Sequence, residues 1–387
     1  MAYKRRAAPR RYAPRRRSSA PSYRRATYKR RAAPRRSRLP RRDKCHCPPT
    51  LTPGAKFVLA QLDPFDASQV NGAKIPDSNT MPSIANTDTD IVNISTGATA
   101  TNLVGMAFRP QYTWATVAAT TGASLSWGAA WGTNASNRTK RTAYAAAMEL
   151  TRPVAHAVRI SSPIAPTSAS GFVHIGLSTE TIFAETSWTF PTTLAEMSGL
   201  QYYKRVTLAS LTQSPVTVIN KWLDDTGFRY SATTGNIDTS PVGSGFQTDY
   251  SWATIVIVVE GAPVSSTVLS VEHLLMSEGL PKKDGVIIGT VAAANSPETI
   301  SAVGELSVRQ EPFHTEAEQD SYINRGITAV AQGAAAHGEN MFQQIAVPLL
   351  QRVGAYGVNV AANMAAMAVA GRGGIGGVNN NANRLML

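Results

Sequence analysis

Nineteen of the first 44 residues are Lys or Arg and only Asp43 is acidic, a charge density that bars this stretch from closing a core of its own. Pro9, Pro14, Pro21, Pro34 and Pro40 interrupt any helix there. The unit YKRRAAPRR stands at residues 3–11 and recurs verbatim at 28–36, as expected of a segment selected for composition and charge. The stretch carries 19 − 1 = +18, so the remaining residues hold 38 − 19 = 19 bases and 25 − 1 = 24 acids, a net of −5. A basic tail on a mildly acidic body implies that a polyanion is bound by the tail and not by a cleft in the fold.

The cations suited to phosphate are Lys4, Arg5, Arg6, Arg10, Arg11, Arg15, Arg16, Arg17, Arg24, Arg25, Lys29, Arg30, Arg31, Arg35, Arg36, Arg38, Arg41 and Arg42. Arg predominates, and a guanidinium forks onto phosphate oxygens while staying charged at any cellular pH. Tyr3, Tyr12, Tyr23 and Tyr28 stand among them and can stack on unpaired bases, each stack contributing about 1–3 kcal/mol. A nuclear-import or membrane-surface tag needs fewer charges, so import is at most a second use of the same residues.

Cys45, His46 and Cys47 close the stretch; they supply three ligands at most and make no closed zinc site within one chain. No apolar run follows the basic residues, so no secretory signal is expected. From a Pro-containing hinge at 45–54 the composition turns apolar and Thr/Ser/Ala-rich. Short β-branched runs at 101–108, 125–131, 154–161, 172–177, 203–208, 216–222, 252–260 and 267–276 predict an all-β sandwich or barrel. Val154, His156, Val158 and Ile160 alternate with smaller or polar residues and predict one inward face. The run 252–260 is apolar on both faces, which requires a central strand or one covered on its outer side by something else, such as a neighbouring subunit. Three units result: an Arg-rich arm and hinge over 1–55, a β domain over 56–310, and a helical segment with a Gly/Asn-rich tail over 311–387.

Thr315 and Glu318 form a capping box ahead of Ile323, Ile327, Val330 and Ala334 at helical spacing. Residues 353–371 carry no charge, but Ala, Gly, Asn359 and Asn363 favour a buried or interface helix over a membrane span; transient membrane contact is the secondary reading. The GxGxxG string at Gly371, Gly373 and Gly376 follows an Ala-rich stretch instead of a strand, which removes the dinucleotide reading. No nucleophile elbow, P-loop or HExxH is present, and no enzyme activity is expected. No cofactor is expected either, except that Asp88 with Asp90, and Asp224 with Asp225, could share calcium at a subunit contact.

Two stretches carry a family resemblance. FVLAQLDPFDASQVNGAKIPD at 57–77 is similar to the segment that enters the shell domain of nodavirus capsid proteins, and STVLSVEHLLMSEGLP at 266–281 resembles the last shell strand of the same group. With its Arg/Pro/Tyr arm the chain looks most like the single-jelly-roll capsid proteins of small circular single-stranded DNA viruses, the bacilladnaviruses among them. The resemblance implies an eight-stranded jelly-roll sandwich with a disordered basic arm and a short helical C-terminal segment. It implies a subunit that self-assembles into an icosahedral shell, packages a small single-stranded genome through its arm, and resides in the virion, with assembly in the host nucleus or cytoplasm. It also places an autoproteolytic pair at Asp66 and Asn381, although cleavage after Asn381 would release only six residues. The competing reading is a cellular nucleic-acid condensing or architectural protein whose β domain docks a partner.

Overall fold

The computed structural model describes residues 51–328 apart from 66–71, 99–102, 111–115, 121–123, 128–145, 180–182, 185–186, 189, 233–251, 286, 320 and 324. All of these belong to one unit, Cys47–Leu387. They form two antiparallel six-stranded sheets with few helices. The first sheet orders β1 (Ile84–Ser95), β13 (Thr267–Pro281), β5 (Met148–Ser161), β10 (Val216–Ile219) and β14 (Phe313–Thr315), with β11 (Ser231–Ala232) beside β5. The second orders β4 (Ser126–Trp127), β3 (Thr116–Thr120), β2 (Val104–Phe108), β12 (Thr254–Glu260), β6 (Phe172–Ser178) and β9 (Tyr202–Thr207). A separate hairpin joins β7 (Phe183–Ala184) to β8 (Ser187–Trp188).

The pairing has a simple logic. Among β1, β2, β5, β6, β9, β10, β12 and β13, the first pairs with the last, the second with the seventh, the third with the sixth and the fourth with the fifth. That is one long hairpin rolled up on itself, the jelly-roll order. The sheets hold twelve strands instead of the expected eight, because β3, β4, β11 and β14 widen the margins.

Three layers result. Between the sheets lie Val158, Ile160, Val216, Val218, Leu269 and Val271 from one side and Phe108, Val173, Ile175, Ile255, Ile257 and Val259 from the other, all buried. The run 252–260 is central, between β2 and β6. Its other face, Val256 and Val258, is covered by Leu125, Phe190 and Met197 of the same chain, so no neighbour is needed there. On the far side of the first sheet, Leu274, Met276, Val154 and Ala155 pack under two helices, Pro53–Leu62 and Pro297–Arg309. Val154 departs from the expected alternation. The register steps from Met276↔Ala155 to Ser277↔Pro153, a bulge that lets Pro153 stay in the strand and turns Val154 toward the helices.

Both helices lie outside the expected helical segment at 311–387. Pro53–Leu62 starts inside the expected hinge, since Thr52 accepts from the Ala55 N–H at 3.2 Å and Pro53 occupies the first helical position. Pro297–Arg309 precedes the expected helical segment, of which the described part is a 3-10 turn, Glu316–Glu318, followed by helical residues at 321–323 and 325–328. The Thr315/Glu318 capping box is formed, with the Thr315 N–H donating to Glu318 Oε2 at 3.0 Å. Gly171 marks a close approach between turns: with φ of 95°, an added Cβ would sit 2.3 Å from the Glu260 carbonyl oxygen. Gly171→Ala should therefore lower the thermal midpoint by several degrees, measurable by circular dichroism; an unchanged midpoint would show that the turn can shift aside.

Candidate functional site

The basic stretch is covalently continuous with the helical layer, because Leu51 is buried in that layer's core together with Phe57, Val58, Leu59 and Leu62. The Pro53–Leu62 helix is buried on nearly every side, held between the first sheet and Ala302, Val303 and Leu306 of the Pro297–Arg309 helix. An aromatic stack secures it. Phe57 meets Phe228 edge-on at 5.7 Å, and Phe228 in turn contacts Trp222 at 4.8 Å and Trp252 at 5.9 Å. Gly304 brings the second helix against Trp222, where a Cβ would lie 3.1 Å from the indole. Lys221 donates to the carbonyls of Ser307 and Gln310 at the end of the same helix, a favourable site for a cation; burial pulls its ammonium down to about 8.

Next along the chain, residues 72–77 are clasped to the sheet by buried charge. Arg152 on β5 is 2% exposed and donates to Asp77, to the Phe228 carbonyl at 3.1 Å, and to Glu278 Oε2 at 3.0 and 2.7 Å. Glu278 on β13, 1% exposed, also accepts from the Ile75 N–H at 3.2 Å and the Ser83 hydroxyl at 2.5 Å. Lys74, 4% exposed, donates to the Ser83 carbonyl at 2.7 Å and to Thr290 O, Thr290 Oγ1 and Val291 O at 2.9 Å. Burial lowers the Lys74 pKa, with Glu278 opposing that shift. The Arg152 guanidinium lies 4.1 Å from the Tyr230 ring centre, and burial pushes that phenol up. These charges have their hydrogen-bond partners, which is the condition for burying them.

The two stretches that carry the resemblance therefore meet: Lys74, Ile75 and Asp77 come from one, Glu278 from the other. Arg152 was missed, because β5 also carries Glu149 and Arg159 and nothing in the sequence marks which of these charges is buried.

Other expected site residues fall differently. The arm cations and Tyr3, Tyr12, Tyr23 and Tyr28 lie outside the described residues, as do Asp66 and Asn381. Asp88 and Asp90 stand two apart on β1, the edge strand, opposite Leu275 and His273, while Asp224 and Asp225 lie at the start of the 3-10 turn Asp225–Phe228. The two pairs occupy separate elements, and among the described residues no three His, Cys, Asp or Glu cluster to hold a metal. Among those residues no helix is long and apolar enough to cross a membrane, and 353–371 is outside them.

No family model and no curated protein matches the chain. Solved structures similar to it include infectious bursal disease virus Gt strain, 9% identical over 69% of this chain and 96% of that one, TM-score 0.47. Tobacco necrosis virus is 14% identical over 52% of this chain and 97% of that one, TM-score 0.33. Cocksfoot mottle virus is 11% identical over 52% and 85%, TM-score 0.34.

Proposed function

We propose that the chain is a viral coat subunit that self-assembles into a closed icosahedral shell and packages a small single-stranded genome through its basic arm. The observation that carries this reading is a +18 stretch followed in the same chain by a jelly-roll sandwich of net negative charge. A shell wall needs a body with two distinct faces. Here one face carries the helical layer, which begins at Leu51, while the other is covered by the chain's own excursion around Phe190 and Met197. With both faces occupied, lateral contacts are left for tiling copies side by side. Sixty copies at +18 each would supply on the order of 1,000 charges, and larger shells a multiple of that, which suits a genome of a few thousand nucleotides. An Arg/Tyr arm binds the phosphates and unpaired bases of RNA and DNA alike; the DNA reading rests on the resemblance to capsids of small single-stranded DNA viruses.

Expression of the full chain should give megadalton particles by size exclusion, containing nucleic acid that DNase removes after the shells are opened. Deleting one YKRRAAPRR copy, residues 3–11, takes away Lys4, Arg5, Arg6, Arg10 and Arg11. That deletion should lower packaged phosphate per particle by roughly the same fraction of arm charge, with the far-ultraviolet circular dichroism unchanged. RNase-sensitive cargo would move the genome to RNA. A persistent monomer across salt, pH and added nucleic acid would sink the coat reading and leave the nucleic-acid architectural protein in its place.

A further inference from the structure

Met81 (55% exposed), Ile287 (46%), Ile288 (88%) and Val291 (86%) are half of the large apolar side chains found exposed among the described residues. They stand on two segments that meet at one antiparallel bridge, where the Ser83 N–H donates to the Thr290 carbonyl at 3.0 Å and the Thr290 N–H to Ser83 at 2.9 Å. The segments touch so closely that a Cβ on Gly289 would lie 2.6 Å from the Pro82 carbonyl carbon. Beneath the bridge sits the buried Lys74 ammonium, bonded to both segments. A charged group taken out of water thus fixes the backbone of a ledge whose own apolar side chains point into water. An isolated molecule gains nothing from that arrangement, whereas a partner that covers the ledge meets a surface already in its bound shape.

The ledge lies past the Pro281 end of β13, which runs beside β1, so it extends the sheet's margin and not either covered face. Lys282 and Lys283 precede it, with Asp284 next to them leaving a local charge of +1, while the residues after the arm are net acidic; a second copy therefore offers charge of the complementary sign. We propose that the ledge formed by Met81, Ile287, Ile288 and Val291 is a subunit contact that receives a second copy of this chain. The proposal rests on the coat reading and locates one of the contacts that reading requires.

The test is assembly of the full-length double variant Ile288→Ser/Val291→Ser, followed by sedimentation velocity over a concentration series. Val308→Ser serves as the control, since Val308 is 76% exposed on the Pro297–Arg309 helix, away from the ledge. The double variant should keep its circular dichroism spectrum and raise the concentration needed for shells about tenfold or more, while Val308→Ser leaves it unchanged. Shells forming at the native concentration would overturn the ledge contact and spare the coat reading. Failure of the native chain itself to assemble would overturn the coat reading. Should the double variant unfold, Ile288→Cys bearing a benzophenone label, in a Cys45→Ser/Cys47→Ser background, decides the matter. Irradiated shells should yield covalent dimers, and monomers alone would end the proposal.

Discussion

Glu278→Ala should destabilise the folded chain by about 3–5 kcal/mol, the usual cost of removing one partner from a buried ion pair. Glu278 accepts from Arg152, from the Ile75 N–H and from the Ser83 hydroxyl, and all three donors belong to groups with little or no access to water. After the substitution Arg152 keeps only Asp77 as a carboxylate partner, and that side chain is 30% exposed. Urea unfolding of the full-length variant at pH 7.5 measures the loss. The apolar replacement Arg152→Met/Glu278→Leu should recover part of it, because the buried guanidinium is no longer left short of a carboxylate, while Asp77 and Lys74 lose their opposite charges and the Ile75 N–H and Ser83 hydroxyl still lack their acceptor at roughly 1–3 kcal/mol each. A loss below about 1 kcal/mol for Glu278→Ala would mean that residues 72–77 are held by packing, not by the clasp.

Acid should weaken the fold well before its carboxylates are fully protonated, through two buried histidines. His156 on β5 accepts from Asn220 Nδ2 at 2.9 Å on one ring nitrogen and faces His273 Nε2 at 2.5 Å with the other. Two ring nitrogens so close share a single proton, and burial holds His156 at about 3. His314, 1% exposed and stacked on Tyr322 at 4.3 Å, is lowered by burial to about 4, with Glu318 opposing. In both cases the unfolded chain takes up the proton first, near the ordinary value of 6.5. The stabilisation is therefore complete above about pH 6.5 and is lost as pH falls toward 3 to 4. Each such histidine removes about 1.4 kcal/mol per pH unit within that window, or about 4 kcal/mol for the two together at pH 5. Unfolding free energies at pH 7.5, 6 and 5 test this, and His314→Phe should flatten the dependence by about half. A flat profile in the native chain would refute the burial of these rings.

Much of the sheet was legible because its central strands are continuous apolar runs. Val104–Phe108, Phe172–Ser178 and Thr254–Glu260 are buried on both faces, so their composition alone marks them. β1 escaped notice for the opposite reason: IANTDTDIVNIS is an edge strand with only Asp90 and Ile94 buried, and its Thr, Asn and Asp residues read as loop. The Pro53–Leu62 helix was hidden too, since an element buried all round shows no amphipathic period.

The site divides in the same way. Charge along the chain is a sum over residues, independent of conformation, so the sequence alone determined that a +18 stretch is joined to a body of net −5, the asymmetry on which the proposed polyanion partner rests. The clasp and the ledge depend on where distant segments come to rest. Asp77, Arg152 and Glu278 are separated by 75 and 126 residues, and Lys74 reaches Thr290 across 216. Only the rolled-up pairing of β1, β5 and β13 brings those charges together out of water, where a short-range interaction too weak to matter along an extended chain becomes a fixed contact.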